Sequence, residues 1–207
     1  MNIFKSLTFE KVFPWILTIG GILGLLAAGI LTVEKLNLAA NPSYQPSCSI
    51  SPVVACSPVI KSPQASAFGF PNPLIGIAGF SMVWTVGMML FASTKNEKLK
   101  RQPQLKKWFW WCFQAGTTFG LLFCAWLVYI ALFEIGKLCL YCNLVWVVTI
   151  PIFWTTLSYN LREKNIVVKN KLGDFVRDNP GKLIALTYLI LILLIFLEFK
   201  DYWYSLI

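Results

Sequence analysis

The sequence predicts an all-α integral membrane protein, because its apolar residues fall in five long runs and most of its charged residues fall between them. Of the 207 residues, 57% are hydrophobic and only 13% are charged, whereas soluble domains carry roughly 25% charged residues. A helix needs about 20 mostly apolar residues to cross a bilayer. The five predicted spans cover about residues 13–33, 73–93, 108–133, 139–159 and 183–199.

The spans follow one another closely, so we expect residues 1–207 to form a single transmembrane domain. The first span is too long to be a cleaved signal peptide, and no small-residue cleavage site follows it. The longest connection, residues 34–72, is rich in proline and serine. Its later part, about residues 57–69, is too short and too polar to span, and is predicted to lie in the membrane interface as a half-helix.

Basic residues predict the orientation of the spans. Most of the 18 lysines and arginines fall on one side, in Lys95–Lys107, in Arg162–Lys182, and at Lys5 and Lys11 before the first span. The positive-inside rule places this side in the cytoplasm. The N-terminus is then cytoplasmic, and the connection 34–72 and the C-terminus are external. The net charge of +9 therefore indicates topology, not the basic face of a nucleic-acid-binding fold.

Four of the six cysteines form two pairs that this topology places outside. Cys48 and Cys56 lie in the proline- and serine-rich connection, whose composition predicts an irregular, exposed and mobile segment. Cys139 and Cys142 open the fourth span and share one helix face, where the helix dipole favours a thiolate. Two dithiol pairs in an oxidising compartment can exchange disulfides. The pattern predicts a membrane thiol oxidoreductase with these four cysteines as its catalytic residues.

The remaining cysteines, Cys112 and Cys124, lie on the third span. The helix between them separates them by about 18 Å, so they cannot bridge each other. A free cysteine in a helix usually behaves as a small buried hydrophobic residue, and we expect no catalytic role for either.

The absence of histidine excludes histidine-ligated haem, histidine zinc sites and histidine general bases. The spans hold almost no ionisable residues, which disfavours a proton or ion pathway. An electron acceptor dissolved in the lipid needs only an apolar pocket with a few polar groups, and a quinone meets that description. On the interfacial segment and its flank, Ser62 and Asn72 are the candidate polar groups, and Phe68 and Phe70 are the apolar ones.

These residues resemble the vitamin K epoxide reductase family, in its bacterial disulfide-forming branch. The resemblance covers the first four spans. It rests on motifs that follow one another in the family's order: Cys48-x7-Cys56, Ser62 six residues later, Phe68-Gly-Phe-Pro-Asn72 with Gly76 four residues on, and Cys139-Leu-Tyr-Cys142.

The resemblance implies a four-helix transmembrane bundle around a quinone, either ubiquinone or menaquinone, with a fifth transmembrane helix. It also implies a role for each catalytic cysteine. Cys48 would form a mixed disulfide with a thioredoxin-like partner, and Cys56 would carry the exchange to Cys139. Cys142 would transfer the electrons to the quinone.

The resemblance further implies which residues bind or cover the quinone: Ser62, Phe68, Asn72 and Cys142. Many bacterial members continue into a fused thioredoxin-like domain. Because this chain stops at Ile207, we expect its partner to be a separate, DsbA-like periplasmic protein. The implied function is a thiol oxidase of a bacterial inner membrane that supports disulfide-bond formation, with its cysteines and C-terminus in the periplasm.

Several other functions are compatible with the sequence. Vertebrate members of the family reduce vitamin K epoxide and carry a tyrosine where this chain has Trp146, which disfavours that substrate. A DsbB-type oxidase would carry the two kinds of cysteine pair in the opposite order on four spans. Four external cysteines could also bind a soft metal ion in a transporter or copper chaperone, or form two structural disulfides in a scaffold. We favour the thiol oxidase, which needs no metal.

Overall fold

The computed structural model describes residues 3–41, 43–49, 51, 53–92, 105–200 and 202. Residues 95–104, on which the predicted orientation partly depends, lie outside the described residues, as do Ser93 at the predicted end of the second span and the C-terminal residues 203–207. The described residues form seven α-helices: α1 (Ile3–Ala40), α2 (Cys56–Lys61), α3 (Pro73–Ala92), α4 (Lys107–Tyr129), α5 (Leu140–Arg162), α6 (Lys171–Asp178) and α7 (Pro180–Glu198).

Five of the helices are long and apolar enough to cross a membrane, which confirms the predicted fold class. These candidate spans are Phe9–Ala40, Pro73–Ala92, Lys107–Ile135, Leu140–Arg162 and Pro180–Glu198. The first helix continues past residue 33 to Ala40, because Leu31 and Leu38 place apolar side chains on one face of it and both are buried. The predicted half-helix region contains α2 and a short 3-10 helix, Pro63–Ser66.

Helices α1 and α3 approach each other through glycine. A Cβ atom on Gly21 would lie 2.7 Å from the backbone nitrogen of Trp84, and one on Gly87 would lie 2.5 Å from Oγ1 of Thr18. Small residues allow this close approach in membranes, where association depends on van der Waals packing more than on the hydrophobic effect. The α1–α3 pair forms one side of the bundle.

Helices α4 and α5 form the other side. At the end of the bundle away from the paired cysteines, the Tyr159 ring packs against Phe13 at 4.7 Å and against Trp110 at 4.5 Å between centroids. Helix α7 packs on the outside of α5, where Trp154 Nε1 donates a hydrogen bond to Thr187 Oγ1 at 3.0 Å. No residue of α7 is buried, so this helix is peripheral to the four-helix core.

The connection between α4 and α5 meets the loop between α1 and α2. Helix α4 ends in a π-helical turn, Ile130–Ile135. Gly136 follows with a φ of +62°, a left-handed conformation that glycine adopts at little cost. Leu138 then forms a parallel β-bridge with Val54. Helix α5 therefore begins beside the loop that carries the first cysteine pair.

Candidate active site

Two backbone hydrogen bonds hold the loop between α1 and α2 against the start of α5. The Leu138 N–H donates to the Val53 carbonyl oxygen at 2.9 Å, and the Ala55 N–H donates to the Leu138 carbonyl oxygen at 2.9 Å. Cys56 is the first residue of α2, and Cys139 is the residue immediately before α5. The bridge therefore brings together two cysteines that are 83 residues apart in the sequence.

Three sulfur atoms meet at this point. Cys48 and Cys56 form a disulfide, and the Sγ atom of Cys139 lies 3.2 Å from the Sγ atom of Cys56. Reacting atoms that are held about 3–3.5 Å apart are close enough for direct attack. A thiolate on Cys139 can therefore exchange the Cys48–Cys56 disulfide for a Cys56–Cys139 disulfide with little movement of the backbone.

Cys142 lies one helical turn after Cys139 and prepares it for exchange. The Cys142 thiol donates a hydrogen bond to the Cys139 sulfur. This bond, reinforced by the backbone N–H groups of Cys142 and Tyr141, holds the pKa of the Cys139 thiol below its ordinary value, although burial acts in the opposite direction. The thiolate is the attacking species in disulfide exchange, so a lowered pKa increases the reactive fraction of Cys139 at neutral pH.

The two loop cysteines are buried, whereas the composition of the loop predicts an exposed segment. Cys48 is 1% exposed and Cys56 is 0% exposed. Together with Cys139 they pack against Leu31 and Leu38 of α1. The expected exposure was wrong for these two side chains, because the C-terminal end of α1 extends beyond the predicted span and covers the sulfur atoms.

A buried carboxylate of α1 also contacts this loop. Glu34 is 6% exposed, and its Oε1 atom accepts a hydrogen bond from the Ser47 hydroxyl at 2.9 Å. Its Oε2 atom is buried and has no hydrogen-bond partner within the part of the chain that the structure describes. Ser47 immediately precedes Cys48, so Glu34 helps to fix the position of the first loop cysteine.

A cavity of about 830 Å³ lies beside Cys139 and Cys142, between α1, α3, α4, α5 and the interfacial segment. Most of its wall is apolar, with Phe80, Phe113 and Trp146 among the larger side chains. A cavity of a few hundred to about 1,000 Å³ with an apolar wall and a few polar groups is typical of sites for small organic ligands. The head group of a quinone and the first part of its tail fit such a space.

The structure places three of the four residues predicted to bind the quinone in the cavity wall: Ser62, Asn72 and Cys142. The fourth, Phe68, does not line the cavity and is 54% exposed. Its ring packs against Phe70 and Phe123, with centroids 6.3 and 5.8 Å away. Phe123 does line the cavity, so Phe68 supports the wall from outside.

Asn72 shapes the segment that it belongs to. Its Oδ1 atom accepts a hydrogen bond from the Ala67 N–H at 3.0 Å, and its Nδ2 atom donates to the Gln64 carbonyl oxygen at 2.7 Å. The Ser62 hydroxyl donates to the Val59 carbonyl oxygen at 2.8 Å. Because an amide nitrogen carries two N–H groups, Asn72 can hold this segment and still offer a donor to a carbonyl oxygen in the cavity.

Lys35 is a cavity-lining residue that the sequence reasoning missed. From α1, its Nζ atom donates hydrogen bonds to the Ala65 carbonyl oxygen at 2.9 Å and to the Ser66 hydroxyl at 2.7 Å. These bonds tie the interfacial segment to α1. The position of Lys35 at the end of an apolar run is visible in the sequence. Its hydrogen-bond partners could not be predicted, because they lie about thirty residues further along the chain, in a segment without helical or strand periodicity.

Cys112 and Cys124 line the same cavity. Cys112 is exposed and Cys124 is half-buried, and the Cys124 sulfur lies 3.8 Å from Thr149 Oγ1. The expected burial was wrong for Cys112, because the cavity runs along this face of α4 and leaves space where close packing was expected. Cys124 is partly buried and packs against the hydrophobic cluster that contains Leu132 and Trp146. Both are free thiols.

The geometry of the cysteine cluster bears on the soft-metal alternative. The sulfur atoms of Cys48, Cys56 and Cys139 lie within 4.8 Å of one another. Soft metal ions bind thiolates, but two of these sulfur atoms are joined in a disulfide. Because that disulfide would have to be reduced before both could act as ligands, the arrangement suits disulfide exchange better than a resident metal.

Comparison with known protein families adds one finding. The model of the vitamin K epoxide reductase family matches residues 15–157. The matched region runs from α1 through most of α5 and includes all four clustered cysteines. No curated protein matches the chain.

Proposed function

The chain belongs to the vitamin K epoxide reductase family, and we propose that it is a thiol oxidase that reoxidises a separate thioredoxin-like protein. The family consists of quinone-linked thiol–disulfide oxidoreductases with paired cysteines. The observation that best supports the proposal is the 3.2 Å separation between the Sγ atoms of Cys56 and Cys139. It places a thiol of the second pair within reach of the disulfide of the first.

The first step is exchange with the partner protein. A partner thiolate attacks the Cys48 sulfur, so that a mixed disulfide forms and Cys56 leaves as a thiolate. The partner's second thiolate then attacks the partner sulfur that is bonded to Cys48. This attack forms the partner's disulfide and releases Cys48 as a thiolate. Two electrons have moved to the loop pair. Because Cys48 is 1% exposed, the loop must open before the partner can reach it.

The second step moves the electrons to α5. The Cys56 thiolate attacks the Cys139 sulfur of a Cys139–Cys142 disulfide, so that a Cys56–Cys139 bond forms and Cys142 leaves and takes up a proton. Cys48 then attacks Cys56, which restores the loop disulfide and releases Cys139. A thiol with a low pKa is a good leaving group, which suits Cys139 to this position.

The state that the structure describes matches the product of this second step. The Cys48–Cys56 disulfide is formed, and Cys139 and Cys142 are free thiols. The short contact between Cys56 and Cys139 serves the exchange in either direction, since forward and reverse steps use the same pair of atoms. The arrangement therefore supports a relay in which electrons from the loop collect on Cys139 and Cys142.

Both thiols line the cavity, so re-forming their disulfide releases two electrons and two protons at its wall. When bound there, a quinone supplies an acceptor for both. Asn72 and Ser62 would hold its polar head group, and the apolar wall would hold its tail. We propose ubiquinone or menaquinone as the acceptor, since the wall offers apolar contact to a long tail and few polar groups to distinguish ring substituents.

We further propose that the chain belongs to the bacterial disulfide-forming branch and lies in the inner membrane. The described basic residues after α5, such as Lys164, Lys169 and Lys171, are exposed at the end of the bundle opposite to the cysteines. The positive-inside rule assigns that end to the cytoplasm. The cysteine cluster and the C-terminus then face the periplasm, where a DsbA-like partner would be oxidised.

The test is quinone reduction by purified protein with a reduced DsbA-like protein as the electron donor. Wild type and Cys142→Ala are compared with ubiquinone and with menaquinone. We expect turnover in the wild type and none in the variant. Formation of a mixed disulfide between Cys48 and the partner is the internal control, because Cys142→Ala should still carry out that first exchange if it is folded.

Two results would contradict the proposal. Quinone reduction by Cys142→Ala at the wild-type rate would show that the α5 pair does not transfer the electrons. Absence of turnover in the wild type with both quinones, while mixed disulfides form normally, would show that the chain exchanges disulfides with a different final acceptor.

A further inference from the structure

Besides the cavity, the structure contains a groove on the lipid-facing side of α4, at the end of the bundle opposite to the cysteines. One wall is a continuous stripe of α4 from Lys107 to Leu122, and the other is the loop after α5, residues 164–167. The groove is open to its surroundings, and its volume is about 850 Å³. This space, called here the basic groove, is separate from the cavity beside Cys139 and Cys142, although Phe119 borders both.

The chemistry of the basic groove changes along its length. Lys107 and Lys164 lie at the end of the groove nearest the membrane surface, and Gln114 and Thr118 follow along α4. Leu122 marks the apolar end, towards the centre of the bilayer. With a rise of about 1.5 Å per residue, the stripe is about 22 Å long. A cationic end, a polar middle and an apolar end match the phosphate, the ester region and the acyl chain of a phospholipid.

The loop that carries Lys164 is held in a defined conformation. Lys164 has a φ of +55°, in the left-handed region that residues other than glycine, asparagine and aspartate rarely adopt. The Asn165 N–H donates to the Asn160 carbonyl oxygen at 3.0 Å, and Trp111 Nε1 donates to the Asn165 carbonyl oxygen at 2.7 Å. Local backbone strain that neighbouring contacts maintain often marks a binding site.

The two lysines have no ion-pair partner among the residues that the structure describes. Both are exposed, so their ammonium groups are available to an anion at the membrane surface. Gln114, by contrast, is 7% exposed. Its Oε1 atom accepts a hydrogen bond from Asn160 Nδ2 at 3.1 Å, and its Nε2 atom donates two long bonds, to Thr117 Oγ1 at 3.4 Å and to Thr118 Oγ1 at 3.5 Å. Both of these bonds are longer than the usual N–H···O range of about 2.7–3.2 Å, so an ester oxygen in the groove would be a better acceptor for this amide.

We propose that the basic groove binds an anionic phospholipid. Its phosphate lies between Lys107 and Lys164, its ester oxygens lie near Gln114 and Thr118, and one acyl chain follows α4 towards Leu122. Basic pockets between transmembrane helices bind anionic head groups in this way. The inference depends on α4 spanning the bilayer and is independent of the thiol relay.

The test uses the full-length protein in detergent and phosphatidylglycerol whose acyl chains carry bromine atoms. Bromine quenches tryptophan fluorescence at short range, and Trp111 forms part of the groove wall. We expect saturable quenching by the brominated phosphatidylglycerol, weaker quenching by brominated phosphatidylcholine, and loss of the saturable component in Trp111→Phe. Inorganic phosphate should not compete, because it lacks the acyl chain.

Charge removal gives the quantitative test. Each lysine near the membrane surface contributes about 1 kcal/mol to binding of an anionic lipid, so Lys107→Gln with Lys164→Gln should weaken the affinity about 30-fold. The control is Lys106→Gln with Lys169→Gln, which removes the same charge from exposed positions outside the groove. We expect the control to bind as the wild type does.

Three outcomes would overturn the proposal. Equal losses of lipid affinity in the two double variants would show that general surface charge, and not the groove, attracts the lipid. Equal quenching by the two lipids would show that the head group is not recognised. Competition by inorganic phosphate would indicate an anion site without a lipid. An unchanged far-UV circular dichroism spectrum and thermal transition for each variant verify that the altered proteins are folded.

Discussion

The backbone bridge between the loop that joins α1 to α2 and the start of α5 offers the sharpest test of the proposed relay. Replacing Leu138 with proline removes the N–H that donates to the Val53 carbonyl oxygen at 2.9 Å. This change leaves Cys48, Cys56, Cys139 and Cys142 in place. We expect electron transfer from the Cys48–Cys56 pair to the Cys139–Cys142 pair to become slow, because the bridge aligns the sulfur atoms that must react.

The size of the effect follows from the sulfur–sulfur distance. Cys139 Sγ lies 3.2 Å from Cys56 Sγ, within the reactive range of about 3–3.5 Å. Losing one hydrogen bond costs about 1 kcal/mol of stability, which is a small part of the total. A displacement of the reacting atoms by about 1 Å, however, can lower the rate about 100-fold. We therefore expect the exchange rate to fall about 100-fold in Leu138→Pro.

The assay is a single turnover without quinone. Oxidised protein is mixed with reduced partner, quenched with acid and alkylated, and thiols at each cysteine pair are counted by mass spectrometry. The matched control is Leu138→Ala, which loses the buried side chain but keeps the N–H, and which should relay at a rate close to that of the wild type. Equal rates for Leu138→Pro and the wild type would refute the reasoning, as would equally slow exchange in both variants.

Three further predictions concern individual residues. Cys142→Ala should shift the pH profile of Cys139 alkylation by iodoacetamide to higher pH, because the hydrogen bond that lowers the Cys139 pKa is lost; Cys142→Ser, which keeps a donor, should restore part of the shift. Lys35→Met should raise the KM for quinone about tenfold, since two hydrogen bonds from a charged donor are lost, while single-turnover exchange between the cysteine pairs stays unchanged. Gly136→Ala should lower the free energy of unfolding by about 1 kcal/mol, because alanine is strained at a φ of +62°. Gly136→Asn should lose less, because asparagine tolerates that conformation; equal losses in a denaturant titration would contradict the assignment.

Much of the fold could be predicted from local sequence. The apolar runs indicated five spanning helices, because the thickness of the bilayer sets the length of each run. The Cys-x-x-Cys motif at the start of α5 could be recognised without tertiary information, since its spacing places both thiols on one helix face. The end of α1 was misjudged because Glu34 and Lys35 interrupt the apolar run, although the helix continues to Ala40.

The candidate site was only partly predictable. Ser62 and Asn72 line the cavity, although their binding of a quinone stays a prediction, whereas Phe68 packs outside it against Phe123. The sequence does not indicate whether Phe68 faces the cavity or packs outside it, because the segment around this residue has neither helical nor strand periodicity. Lys35 was missed for a related reason, since its partners are backbone and side-chain oxygens of that same irregular segment.

The sequence by itself determined the membrane class, the number of long apolar helices and the four cysteines, because each of these is encoded in consecutive or nearly consecutive residues. Only the tertiary structure decided that Cys56 meets Cys139 and that α1 buries the Cys48–Cys56 disulfide. It also revealed the basic groove between α4 and the loop after α5. These features depend on contacts between segments far apart in the chain, such as the hydrogen bonds between Leu138 and the loop, and no local pattern specifies which distant segments will meet.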